Sequence, residues 1–249
     1  MNGPGRPAIF VVGLGPGGAD EITPRALGAL RACDVIVGYS VYVEMARGML
    51  PDKETVSFSM RQEVARCRRA VELAMEGRVV GMVSGGDPGV YGMAGVMLEV
   101  ASDAGADVDI EIVPGVTACC SAASVLGAPI AHDFAVISLS DLLTPWEIIE
   151  RRIALGVEGD FVLCIYNPSS RKRADRLRRA CDIALRARSA DTPSAWVRMS
   201  GREGESSRTL TLGELRDERL DMFCTAFIGN SLTKMWGDRM ITPRGYRLS

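Results

Sequence analysis

The chain has 249 residues, of which 47% are hydrophobic, 24% charged and only 6% aromatic, a composition that excludes disordered, collagenous and fibrous classes. Its 29 basic and 31 acidic side chains leave a net charge of −2, too little to drive general nucleic-acid binding through counterion release. Gly, Pro or a charge interrupts every apolar run before the ~18 residues that a membrane span needs, so neither nucleic acid nor membrane is expected as a partner.

In chain order, short β-branched runs alternate with helix-length amphipathic segments, which predicts an α/β fold with a largely parallel sheet in its first half. A strand at residues 8–12 precedes a helix at 24–32, with Thr23 as its cap and Pro24 at its first position. A strand at 35–37 and a helix at 41–50 follow. Across 60–76 the apolar residues Val64, Cys67, Val71 and Met75 recur at spacings of three and four, and Gly77 ends that helix. A strand at 79–84 buried on both faces, a helix at 93–103 and a strand at 109–113 close a first domain, residues 1–115. Pro114-Gly115 breaks the pattern.

The second domain, residues 116–249, starts with a small-residue helix at 117–127. A strand at 134–139, a helix at 145–155, a strand at 161–166, a basic helix at 171–188 and a strand at 195–197 follow. A strand at 207–212, a short helix and a last strand at 222–228 complete a sheet predicted to be mixed. Residues 171–188 hold eight basic and two acidic side chains, with Ala174, Leu177, Cys181 and Ala184 as the apolar stripe. That helix reads either as a solvated face or as a supply of arginines for an anionic substrate. Seven cysteines without a C-x-x-C spacing read as buried free thiols of a reducing, cytoplasmic compartment, and no metal site is expected.

Four loops at predicted strand ends are candidates for ligand binding. Gly13-Leu14-Gly15-Pro16-Gly17-Gly18 satisfies the dinucleotide pattern G-x-G-x-x-G, but the helix at Thr23-Pro24 starts too late and Asp34 precedes its strand rather than following it. A nicotinamide oxidoreductase remains the remote alternative. In Ser84-Gly85-Gly86-Asp87-Pro88-Gly89-Val90-Tyr91-Gly92 the paired glycines expose bare peptide and Asp87 can accept hydrogen bonds. Val113-Pro114-Gly115-Val116-Thr117-Ala118 offers Thr117 as a cap or a ligand contact, and Tyr166-Asn167-Pro168 starts either a turn or a binding loop.

Taken together, and with a late Ile228-Gly229, these segments resemble the motif series of the tetrapyrrole methylases across nearly the whole chain. The stretch from Gly127-Ala128-Pro129-Ile130-Ala131-His132-Asp133 to Ser140-Asp141-Leu142-Leu143-Thr144-Pro145-Trp146, with Tyr166-Asn167-Pro168, resembles the precorrin-3B C17-methyltransferases. The resemblance implies two α/β domains, S-adenosylmethionine as methyl donor and S-adenosylhomocysteine as product, held in the cleft between the domains. It further implies a homodimer and a tetrapyrrole substrate, precorrin-3B or cobalt-factor III, that is methylated at C17 and contracted with extrusion of C20 as an acetyl group. The cofactor contacts it implies are Pro16, Gly85, Gly86, Asp87, Val90, Tyr91, Thr117, Ala118, Tyr166, Asn167, Met199 and Ile228. Another precorrin carbon or uroporphyrinogen III is the alternative methyl acceptor, and a tetrapyrrole-binding scaffold without activity is a further reading.

Methyl transfer from a sulfonium needs alignment more than a strong base, whereas ring contraction moves protons. Histidine is the side-chain type suited to proton transfer near neutral pH, and His132 is the single one in the chain. Asp141 is the second candidate acid–base group, and packing at a strand entry is the alternative for His132. Arg198 and Arg202 are candidate partners for substrate carboxylates.

Overall fold

The computed structural model describes residues 8–169 and 174–247, and the chain divides into two compact units, Met1–Ala118 and Cys119–Ser249. The first unit holds β1 (Ala8–Gly13), α1 (Pro24–Ala32), β2 (Val35–Tyr39), α2 (Ser40–Met49) and β3 (Glu54–Phe58). It continues with α3 (Glu63–Met75), β4 (Val80–Ser84), α4 (Ala94–Asp103) and β5 (Asp109–Val113). Its strands form one parallel sheet in the order β3-β2-β4-β1-β5.

Because side chains alternate along a strand, this sheet carries two cores. Ile9, Val11, Val35, Val37, Val80 and Met82 pack on α3 and α4, while Val12, Ile36, Val83 and Val113 pack on α1 and α2. The α1 helix starts as its sequence predicts: Thr23 Oγ1 accepts the Ala26 N–H at 3.1 Å. Its far end is closed by Lys53, whose Nζ donates to the carbonyls of Arg31 and Cys33 at 2.6 Å each. The sequence reading omits β3. Three of its five residues are polar and it lies at the sheet edge, so the alternation that marks a buried strand is missing.

The second unit is built from α5 (Ala118–Leu126), β6 (Gly127–Ala128), β7 (Phe134–Ser138), α6 (Trp146–Glu158), β8 (Val162–Tyr166) and α7 (Arg176–Ala184). Then come β9 (Pro193–Arg198), β10 (Ser206–Thr211), α8 (Leu212–Leu215), β11 (Cys224–Ile228), β12 (Lys234–Trp236) and β13 (Arg239–Ile241). The main sheet runs β10-β9-β11-β8-β7 and is mixed, with β7 and β8 parallel and β11 antiparallel to both β8 and β9. Ile149, Ile153, Leu177 and Leu215 cover one face. Cys119, Ala122, Ala123 and Leu126 of α5 cover the other, against Cys164, Ala195 and Phe227.

Two expectations need revision here. The basic helix predicted over 171–188 is the shorter α7, and residues 171–173 lie outside the described residues. After the predicted last strand the chain adds the β12–β13 hairpin, turned by Gly237 at φ +59° and joined in parallel to β6. All seven cysteines are free and only Cys120 is exposed. Burial pushes the thiols of Cys33, Cys67 and Cys181 up to about 12, which leaves them unreactive packing groups.

Candidate active-site loops

In the first sheet β4, β1 and β5 are neighbours, so the loops leaving their carboxyl ends meet. The connections after β1 and β4 lead to helices on opposite faces of the sheet, which makes this pair the topological switch point where open α/β sheets bind ligands. Here the two loops are joined by backbone. Leu14 N–H donates to Ser84 O at 2.9 Å, and Gly15 and Gly86 exchange N–H···O bonds of 3.2 and 2.7 Å. Both glycines take a left-handed backbone, φ +77° and +63°, which a side chain would strain.

Glycine is required at the crossing for a second reason. A Cβ on Gly13 would lie 2.6 Å from Gly86 O, 2.7 Å from Gly115 N and 2.8 Å from Pro88 Cδ, and backbone on two sides cannot yield. Asp87 ties the remaining loop to this floor: Oδ1 accepts the Gly89 N–H at 2.8 Å and Oδ2 accepts the Gly115 N–H at 3.1 Å. Thr117 and Ala118 lie beside Gly86, at 3.7 and 3.6 Å from where its Cβ would stand. Pro16, Gly85, Gly86, Asp87, Val90, Tyr91, Thr117 and Ala118 are thus gathered at one end of one sheet.

In the second unit β7, β8 and β9 point the same way, because β11 is antiparallel to β8 and β9 and β7 is parallel to β8. Their carboxyl ends place Ser138, Tyr166 and Met199 together. The Tyr166 phenol accepts the Cys119 N–H at 2.7 Å, near the start of α5. Asn167 Nδ2 donates to Ser138 Oγ at 2.9 Å, and the same oxygen accepts the Ser140 N–H at 3.2 Å. Asp141 follows in the same loop, where its Oδ2 accepts from Arg176 at 2.6 Å. The Arg176 and Arg179 guanidiniums lie 4.2 and 4.7 Å from the centre of the Trp146 ring, so packing as well as charge holds this loop. Sequence reasoning did not single out Ser138 or Arg176, although the Ser-Leu-Ser-Asp spelling of 138–141 carries a local turn signal.

Two expected site residues do not join this group. Ile228 pairs with Leu163 and Ser194 at the opposite end of the sheet and is fully buried in the core, so no surface of its side chain is left for a ligand. His132 stands before β7, and Asp141 after it, so the two proposed acid–base residues are separated by a five-residue strand, about 16 Å at the usual rise per residue. His132 is exposed, and its Nδ1 accepts the Asp133 N–H at 2.7 Å.

Five non-glycine residues have a left-handed backbone among the described residues: Arg61, Tyr91, Asp160, Asn167 and Met199. Three of them, Tyr91, Asn167 and Met199, are expected cofactor contacts, in keeping with the tendency of strained backbone to gather at functional sites. Met199 is held from both sides. Its N–H donates to Phe223 O at 3.0 Å, and Arg198 reaches both its sulfur, at 2.9 Å, and Asp221, at 2.9 Å.

Comparison with known proteins gives this geometry a family. The model of the tetrapyrrole (corrin/porphyrin) methylases matches residues 8–216. A Salmonella typhimurium protein named probable cobalt-factor III C(17)-methyltransferase is 45% identical over 240 residues, 96% of this chain and 100% of the relative. A Sinorhizobium precorrin-3B C(17)-methyltransferase is 38% identical, with 96% of each chain covered. Among solved structures, the methyltransferase CobJ superposes with a TM-score of 0.86 at 35% identity, covering 94% of this chain and 99% of its own.

Proposed function

The chain belongs to the tetrapyrrole (corrin/porphyrin) methylases, and from that premise we propose that it methylates C17 of precorrin-3B, or of its cobalt-bearing counterpart cobalt-factor III, with contraction of the ring. The observation that carries this reading is a likeness extending along the whole length of relatives named for that reaction. S-adenosylmethionine would supply the methyl on a positive sulfonium, a good leaving group. The first unit's loops fit such a molecule: the Gly85-Gly86 peptide is only half-buried, and beyond Gly86 a Cβ would find nothing closer than 3.6 Å.

In this reading the proposed contacts to the methyl donor are Pro16, Gly85, Gly86, Asp87, Val90, Tyr91, Thr117, Ala118, Tyr166, Asn167 and Met199. What the residues do is orient. Backbone carbonyls and N–H groups of a cross-braced floor fix the donor for in-line attack, and fixed near-attack geometry supplies most of what such a displacement needs. Asp141, anchored by Arg176, is the residue we place at the proton movements of ring contraction.

Calorimetric titration tests the donor. S-adenosylmethionine should bind with one site per chain and NAD should not, whereas binding of NAD alone would return the glycine-rich loop to the oxidoreductase reading. A cytoplasmic homodimer is proposed on the same family footing. The apolar side of the small-residue helix α5 is not free to form that interface, because it buries Cys119, Ala122, Ala123 and Leu126 within its own unit. A monomer mass by light scattering at micromolar concentration would reject the dimer.

A further inference from the structure

The carboxyl end of the first sheet has a second half that the methyl-donor loops leave unused. Past β4 lie β2 and then β3, and their ends carry Tyr39, paired in register with Phe58. Tyr42 stands one turn further on, in α2. The Tyr39 and Tyr42 rings meet edge to face, 5.7 Å between centroids at 82°. The Tyr42 ring occupies the space that a side chain on Gly85 would need: a Cβ there would fall 2.5 Å from its Cζ and 2.7 Å from its hydroxyl. The tyrosine pair is therefore seated directly against the glycine floor.

Three features of this half suit a ligand. Both tyrosines are half-buried, and among the described residues neither phenol has a hydrogen-bond partner, so both are free to donate to a bound molecule. Arg61, in the loop leaving β3, holds a left-handed backbone at φ +68°. It is exposed and forms no ion pair among the described residues. Two phenol donors, aromatic rings and an unspent guanidinium complement a flat, apolar-faced molecule fringed with carboxylates.

We propose that Tyr39, Tyr42 and Arg61 form the macrocycle-binding wall, with the tyrosine rings against the tetrapyrrole and the phenols and guanidinium donating to its peripheral carboxylates. This assignment rests on the methyltransferase reading and adds substrate-recognition residues to it. The methyl-donor half offers bare peptide and the β2–β3 half offers aromatic and cationic side chains, so the two ligands are sorted by chemistry along one sheet end.

The test uses Tyr39→Phe, Tyr42→Phe and Arg61→Ala in the full chain. Tyr42→Phe keeps the ring that packs on Gly85, so the loop stays supported. S-adenosylmethionine affinity by calorimetry should stay within about twofold of the parent for all three, while KM for the tetrapyrrole rises about tenfold in each, as loss of a hydrogen bond to a charged group predicts. Unchanged KM in all three variants overturns the wall, and so does a matching loss of S-adenosylmethionine affinity, which would give these residues to the methyl donor. If the parent protein turns over neither precorrin-3B nor cobalt-factor III, the methyltransferase reading itself fails. The wall is then judged by tetrapyrrole quenching of intrinsic fluorescence, where weaker binding by the variants upholds it and equal binding rejects it.

Discussion

Asp87 shows how a single carboxylate can serve structure and ligand together. Its two oxygens accept the Gly89 and Gly115 N–H groups, so it braces the loop after β4 against the loop after β5. Asp87→Ala should weaken S-adenosylmethionine binding about tenfold and also cost about 1–3 kcal/mol of stability, the range for two modest hydrogen bonds. Asp87→Asn, which keeps one acceptor oxygen, should fall between in both calorimetric affinity and denaturant midpoint. Full affinity in the alanine variant would remove this loop from the site. The lone histidine makes the opposite case. Its chemistry recommended it, but His132 and Asp141 stand at opposite ends of β7, so His132→Ala should turn over within about twofold of the parent. Accumulation of methylated, uncontracted product in that variant would restore its role in proton transfer.

Among the elements, the β9–β11 junction holds the Arg198–Asp221 ion pair beside Met199. Burial works to raise the Asp221 carboxyl, but hydrogen bonds from the Arg198 guanidinium, the Phe223 N–H and the Cys224 thiol together hold it below its ordinary value of 3.8. A carboxyl lowered on folding stabilises the native state above its unfolded value and loses that contribution as pH falls through the folded one. Asp221→Asn should therefore lower Tm at pH 7, with the difference from the parent shrinking as pH falls below the ordinary aspartate value of 3.8, and a pH-independent difference would place the effect in packing instead. Elements with a local signature were legible in the sequence. Thr23-Pro24 announced α1, and the fully apolar run before Ser84 announced β4. The edge strand β3 and the three-residue strands β12 and β13 were not, because neighbouring chain rather than their own periodicity sets them. The glycine loops were legible for the same local reason, since a tight crossing demands glycine whatever surrounds it. The Tyr39–Tyr42 pair was not, because its meaning comes from β2 lying beside β4, which no spacing in the chain records.

On the scale of the whole molecule, two α/β units each gather candidate site residues at the end where parallel strands finish, the first at β4-β1-β5 and the second at β7, β8 and β9. Fold class and family follow from that architecture and from the likeness to the tetrapyrrole methylases. The central claim, that this architecture methylates C17 and contracts the ring, is tested most directly by product analysis. The protein is incubated with S-adenosylmethionine and, in separate reactions, precorrin-3B and cobalt-factor III, and the products are examined by mass spectrometry and by NMR with the methyl donor labelled with carbon-13. The expected product has gained one labelled methyl at C17 and has a contracted macrocycle, from at least one of the two substrates. A labelled methyl at another carbon, or no methyl transfer to either substrate by protein that binds S-adenosylmethionine, would contradict that claim.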